Sequence, residues 1–282
     1  MAEEVSNFES ALKAFDKLSR EAWTNVTFRG HADASWGVEP SLFRQKPNVA
    51  EFEPEMIREL ISLFPQDFLT DHSMFDRLVR MQHYGLPTRL LDVTRNPLVA
   101  LFFAVWEEKY DDSDGAVLAF VASDDRCKFY DSDVVSCMAN LANLKQDERD
   151  TLETTTASTI ADLRELQPTG RLIQFIKAEK PYFESRIKKV DLFRPVVVTA
   201  KRANQRMSAQ SGSFILYGLD AGKSPSYKKS IRTEKVVILK RAKAEIRRRL
   251  GSLGIEASTL FPEIDKATGR ILEIYKSKVI PF

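Results

Sequence analysis

Between His83 and Arg95 the chain crowds together an imidazole, a phenol, two guanidiniums, a carboxylate and two hydroxyls: His83, Tyr84, Thr88, Arg89, Asp92, Thr94 and Arg95. Gly85-Leu86-Pro87 supplies a turn, but a turn needs none of the chemistry around it. Two further segments have the same character. In Thr27-Phe28-Arg29-Gly30-His31 an arginine stands at the end of an apparent strand. Its planar fork suits a phosphate or carboxylate, and the following glycine lets backbone come close. In Arg202 to Phe214, "RANQRMSAQSGSF", Arg202, Arg206 and Gln210 recur every four residues. They share one face if the stretch is helical; alternatively a loop leads Gln210 into a strand at Gly212. Three polar segments that each abut an apolar element are most simply explained by one shared pocket. The expected lining is Arg29, His83, Tyr84, Arg89, Asp92, Thr94, Arg206 and Gln210.

The elements that must carry these residues are mixed. Ser6 to Arg20 reads as an amphipathic helix, with Phe8, Leu12, Phe15 and Leu18 at helical spacing behind a Ser6/Glu9 capping box. Glu53 to Phe64 and Met74 to Tyr84 read as helices, and Leu98 to Trp106 as a buried apolar element. Lys240 to Leu250 reads as a helix closed by Gly251. One or two more helices fall between Leu141 and Leu166. Strands are expected at Thr24–Phe28, Gly115–Ala122, Pro195–Ala200, Gly212–Tyr217 and Lys235–Leu239 from their β-branched content. Helices early and strands late, without regular alternation, favour an α+β fold over a doubly wound sheet. No Gly/Ser- or Pro-rich linker divides the chain, so residues 1–21 are expected as an N-terminal helix and 22–282 as one compact domain.

Composition bounds the function. The chain has 282 residues, 43% hydrophobic and 29% charged, enough to bury a substantial core. Two cysteines are too few for a disulfide framework or a metal cluster, which points to a reducing cytoplasm. Cys127, with no histidine near it in sequence, reads as a plain structural thiol. The acidic start MAEEVSNFES lacks the apolar core of a secretory signal. No run approaches the ~18–20 apolar residues of a membrane-spanning helix, so no membrane partner is expected. Phosphate loops, nucleophile elbows, CxxC pairs and His-Glu-x-x-His are all absent. Three histidines make a multi-histidine metal site implausible. Eleven Lys or Arg between Ala221 and Leu250 face only two acids, Glu234 and Glu245. That stretch reads first as a solvated face and second as a phosphate-backbone contact.

The segments "FRGHADASWGVEPSLFR", "QHYGLPTRLLDVTRNPLVALFFA", "NQRMSAQSGSF" and "LGIEASTLFPEID" together resemble the FRG domain, over roughly Ala22 to Ile271. The family includes bacterial, phage and fungal modules associated with phage defence and toxin systems, and the resemblance implies such a setting. A second resemblance is to ADP-ribosyltransferases. These carry Arg or His then Gly at the end of a first core strand, a Ser/Thr strand leading into an A-x-x-F-A helix, and a later strand that presents a Glu. Arg29-Gly30, then Thr94 before "NPLVALFFA", then Gln210 before Gly212 follow that order. This likeness implies a mostly antiparallel split or half-barrel sheet flanked by helices, and NAD as the ligand and substrate.

In that setting Arg29, with Gly30 and His31 beside it, would hold the pyrophosphate or the nicotinamide ribose. Thr94 would hydrogen-bond the ribose, and Tyr84 or Phe103 would stack on the cationic nicotinamide ring. His83, Thr88, Arg89 and Arg206 would complete the binding set, and Asp92 would fix Arg89 or Arg29. Catalysis would fall to Gln210, Arg29 and Asp92. Gln210 stands where the likeness asks for a carboxylate and has no charge to offer an oxocarbenium-like centre. Another acid, Asp92 or Glu184, would then have to act, or the pocket binds without cutting. The alternatives are a nucleotide- or nucleic-acid-binding module and a sensor of a protein partner. The same residues also have plain structural readings. Arg29 can pair with Asp92, Thr94 or Asn96 can cap the helix that Pro97 begins, and Phe102, Phe103 and Trp106 can be core.

Overall fold

An unbroken apolar run such as Gly115–Ala122 must be covered on both faces, which suits an interior strand. The computed structural model describes residues 3–22, 25–201, 205–219 and 231–261. In it this run lies inside one eight-stranded sheet. In chain order the elements begin β1 (Glu3–Val5), α1 (Phe8–Ala22), β2 (Val26–His31), α2 (Ser41–Arg44), α3 (Glu53–Leu63) and α4 (Met74–His83). Then come β3 (Leu90–Thr94), α5 (Pro97–Val105), β4 (Gly115–Ala122), β5 (Cys127–Phe129), α6 (Asp133–Asn140), α7 (Gln146–Thr154) and α8 (Ile160–Arg164). The rest are α9 (Gln167–Glu179), α10 (Lys189–Phe193), β6 (Val196–Thr199), α11 (Gln205–Ala209), β7 (Gly212–Leu216), β8 (Ile231–Ile238), α12 (Lys243–Ser252) and α13 (Ala257–Leu260).

The strand order is β1-β8-β4-β2-β3-β7-β6-β5. All inner pairs are antiparallel; only the edge pairs, β1 with β8 and β5 with β6, are parallel. The fold is therefore α+β with a mostly antiparallel open sheet flanked by helices. Its weakest joint is central. β2 pairs with β4 from Val26 to His31, but it meets β3 at one register pair, Phe28 with Thr94.

Register and alternation put Phe28, Asp92, Thr94 and Phe214 on one face of the sheet. Two groups of helices cover that face. Phe8, Ala11, Phe15 and Leu18 of α1 pack with α5 and α12 on Phe28, Val117 and Val236. Phe75, Leu78 and Met81 of α4, with Val135 and Met138 of α6, pack on Leu90, Phe214 and Leu216. The boundary between the two groups falls over the β2–β3 joint. Gly30 lets α5 approach there: a Cβ at this position would stand 1.9 Å from the Ala100 carbonyl oxygen.

Several details differ from the sequence reading. Asn7, not Ser6, caps α1, its side chain accepting from the Ser10 amide at 2.8 Å. Leu12 is 41% exposed because Ala11 and Ala14 hold the inner face instead. α12 does not close at Gly251; the chain turns at Gly254, whose φ of +75° suits glycine. The middle of the chain, from Asp133 to Phe193, is helical, so helices are not confined to the first part. β3, β1 and β5 were not expected; two of them are three residues long, and β3 is hidden inside the polar motif. Among the described residues no helix is long and apolar enough to cross a membrane.

Candidate functional site

Where the two helix groups part, a cleft of about 260 Å³ opens. Phe28, Asp92, Thr94 and Phe214 form its floor, with Phe103 of α5 on one side and Val79, Gln82 and His83 of α4 on the other. Met207 and Gln210 close one end.

Arg29 occupies the interrupted joint. Its Nη1 donates to the Asp92 backbone carbonyl at 2.7 Å, bridging β2 to β3 with a side chain. Its Nε donates to His31 Nε2 at 3.1 Å. The Asp92 carboxylate is 3.8 Å away and 65% exposed, so the ion pair is loose. Burial lowers the Arg29 pKa, Asp92 opposes that shift, and Arg44 adds to it. His31 is buried, and burial first, then the positive charges of Arg29, Arg44 and Lys235, push its pKa down to about 4. The imidazole is therefore neutral at pH 7, as a hydrogen-bond acceptor for Arg29 must be.

Thr94 ties the end of the cleft together. Its Oγ1 donates to the Gln210 carbonyl at 2.6 Å and accepts from the Asn96 amide at 3.0 Å. Asn96 caps α5 by accepting from the Leu98 amide at 2.9 Å. Gln210 lies in the turn between α11 and β7, and its Nε2 donates to the Leu260 carbonyl at 2.9 Å. Leu260 and Phe261 are buried, and Phe261 packs edge-on against Phe103.

Of the residues singled out in the sequence, the cleft brings together Arg29, Gly30, His83, Asp92, Thr94, Phe103 and Gln210. His31 lies behind Arg29 without lining it. Tyr84 is 62% exposed beyond the end of α4 and packs edge-on against His83. Thr88 is buried and bonds to Gln82 Oε1 and the Leu90 amide. Arg89 is also buried; its Nε donates to Glu53 at 2.9 Å and its Nη1 to the carbonyls of Tyr217 and Gly218. Arg89 therefore does not pair with Asp92. Arg202 and the Arg206 side chain lie outside the described residues. Glu184 is exposed and pairs with Arg186 at 3.3 Å, away from the cleft.

Sequence reasoning missed Val79 and Gln82, although Val79 precedes Gln82 by three residues and His83 by four on α4, spacings that make helix neighbours. It also missed Met207, Ser213 and Phe214. No sequence signal separated these from ordinary core.

The basic stretch is not simply a solvated face. Lys243 is buried and donates to the carbonyls of Ala32 and Tyr110. Arg247 donates to the Val105 carbonyl and pairs with Asp111, while Arg249 pairs with Glu9 and Glu245. Its first part, residues 221–230, lies outside the described residues. Cys127 is half-buried and burial raises its pKa, which favours an inert thiol. Among the described residues no group of His, Cys, Asp and Glu is placed to hold a metal ion.

No curated protein and no solved structure matches the chain. The family model of the FRG domain matches residues 24–113, which takes in β2, α4, β3 and α5 but stops short of Gln210. Over residues 24–113 the chain is thus similar to the FRG domain.

Proposed function

We propose that the cleft binds NAD and releases nicotinamide from it, as an ADP-ribosyltransferase- or NAD glycohydrolase-like effector of a defence or toxin system. The observation that carries this reading is Arg29, held across an interrupted strand joint beside Asp92, the one carboxylate among the described lining residues. Phe103 offers an aromatic face to the cationic nicotinamide ring. As the bond from ribose C1′ to the ring nitrogen breaks, its electron pair goes to nicotinamide and positive charge develops on the ribose. A nearby carboxylate stabilises that charge, and Asp92 is exposed to do so. Water or an acceptor nucleophile then adds to C1′ and loses its proton. Gln210, whose amide nitrogen is engaged by Leu260, has its carbonyl oxygen to accept from a ribose hydroxyl.

A second reading, nucleotide binding without cleavage, draws support from the neutrality of Gln210. A nucleic-acid target through the basic stretch has less behind it, since Lys243, Arg247 and Arg249 are engaged within the chain. In either reading the functional unit runs past the family match, because β7 and Gln210 complete the cleft.

NAD incubated with the protein, with nicotinamide followed by mass spectrometry, separates the two. The first reading expects release, lost in Asp92→Asn with NAD binding retained, and intact or raised in Gln210→Glu. Binding without release by the unmodified protein establishes the second. Full activity in Gln210→Ala removes Gln210 from the mechanism.

A further inference from the structure

Beside the cleft, sharing Arg29, Gln82 and Asp92 with it, lies a second cavity of about 200 Å³. Ser41 and Arg44 of α2 and Gly85 complete its polar lining. Its charge is unbalanced. Two guanidiniums face one carboxylate, which is 65% exposed and 3.8 Å from Arg29. Arg44 forms no ion pair or hydrogen bond among the described residues. It is close enough to Arg29 and His31 to lower the pKa of both. Ser41 Oγ accepts from the Thr88 amide at 3.2 Å, which leaves its hydroxyl proton to donate. Nothing in the fold requires two like charges around a hollow, and an oxyanion would relieve their repulsion. Guanidinium forks fit phosphate oxygens in pairs, and a serine hydroxyl adds a third donor.

We propose that this second cavity is a phosphoryl subsite, in which Arg44 and Arg29 bracket a phosphate group while the adjoining cleft holds the ribose and ring of the same molecule. The inference rests on the nucleotide reading above and adds where its phosphate goes. Arg44 is then a specificity residue that separates phosphorylated ligands from the corresponding nucleosides.

The test is calorimetric titration with nicotinamide mononucleotide, nicotinamide riboside and inorganic pyrophosphate. Arg44→Gln should weaken the mononucleotide by roughly 10- to 100-fold, the range of a lost hydrogen bond to a charged group, and leave the riboside unchanged. In the unmodified protein pyrophosphate should displace the mononucleotide and not the riboside, a result that needs no variant. Equal weakening of both ligands by Arg44→Gln, or pyrophosphate that displaces neither, overturns the subsite. If neither nicotinamide compound binds but pyrophosphate does, and Arg44→Gln abolishes that binding, the subsite stands and the nicotinamide reading falls. If pyrophosphate does not bind either, both fall.

Discussion

Arg29 and Arg89 come from two motifs of the same polar character and have opposite fates. Arg89 is 2% exposed, forked onto Glu53 and surrounded by backbone carbonyls; Glu53 also receives Arg149 at 2.7 Å. Arg29 has one backbone carbonyl, one neutral imidazole and one loose carboxylate. The first arrangement leaves little for a ligand to improve. The second holds a guanidinium in place while leaving its charge largely uncompensated. Arginine in a motif is therefore ambiguous until its partners are known; here the deciding partner, Glu53, is 36 residues from Arg89.

The comparison can be broken by measuring stability. Arg89→Ala strands Glu53 in the interior with one partner fewer and should cost about 3–5 kcal/mol in chemical denaturation. Arg29→Ala at a partly open joint should cost about 1 kcal/mol. Similar losses at the two sites would show that Arg29 is structural after all. Gly30→Ala should fall between them, at about 1–3 kcal/mol, because α5 must move away from β2. A neutral Gly30→Ala would mean that α5 is not seated tightly on the strand.

A subtler effect follows from His31. Its pKa is 6.5 when unperturbed and about 4 in the fold. Between those values the unfolded chain binds the proton that the folded chain refuses. Stability should therefore fall as pH drops from 6.5 toward 4. His31→Gln, which keeps an acceptor for Arg29 without titrating, should flatten that part of the profile. Urea midpoints at pH 7 and pH 4.5 check this, and an identical slope in both proteins would assign the effect to other groups.

Much of the fold was legible because periodicity reports burial. The α1 face, the α5 run and the strands at Gly115–Ala122 and Gly212–Leu216 all follow from their apolar pattern. β3 was not, because its outward Asp92 and the surrounding Thr88, Arg89 and Arg95 made "LLDVT" look like part of a site. β8 begins at Ile231, four residues before the apolar Lys235–Leu239 run suggests, because its first half carries the consecutive exposed residues Arg232 and Thr233 and has no apolar alternation to mark it. At the site, Arg29, Asp92, Thr94 and Gln210 could be named from residue type and order. Thr88, Arg89 and Tyr84 could not be told apart from them, since burial and pairing depend on contacts distant in sequence. Gly30, singled out as a ligand approach, serves at least the packing of α5.

The most direct test of the central claim compares nicotinamide release from NAD by the unmodified protein and by Arg29→Ala, at matched folded concentration. Release by the first and none by the second is the predicted result. Undiminished release by Arg29→Ala, or none by the unmodified protein, would contradict an NAD-consuming site at the β2–β3 joint.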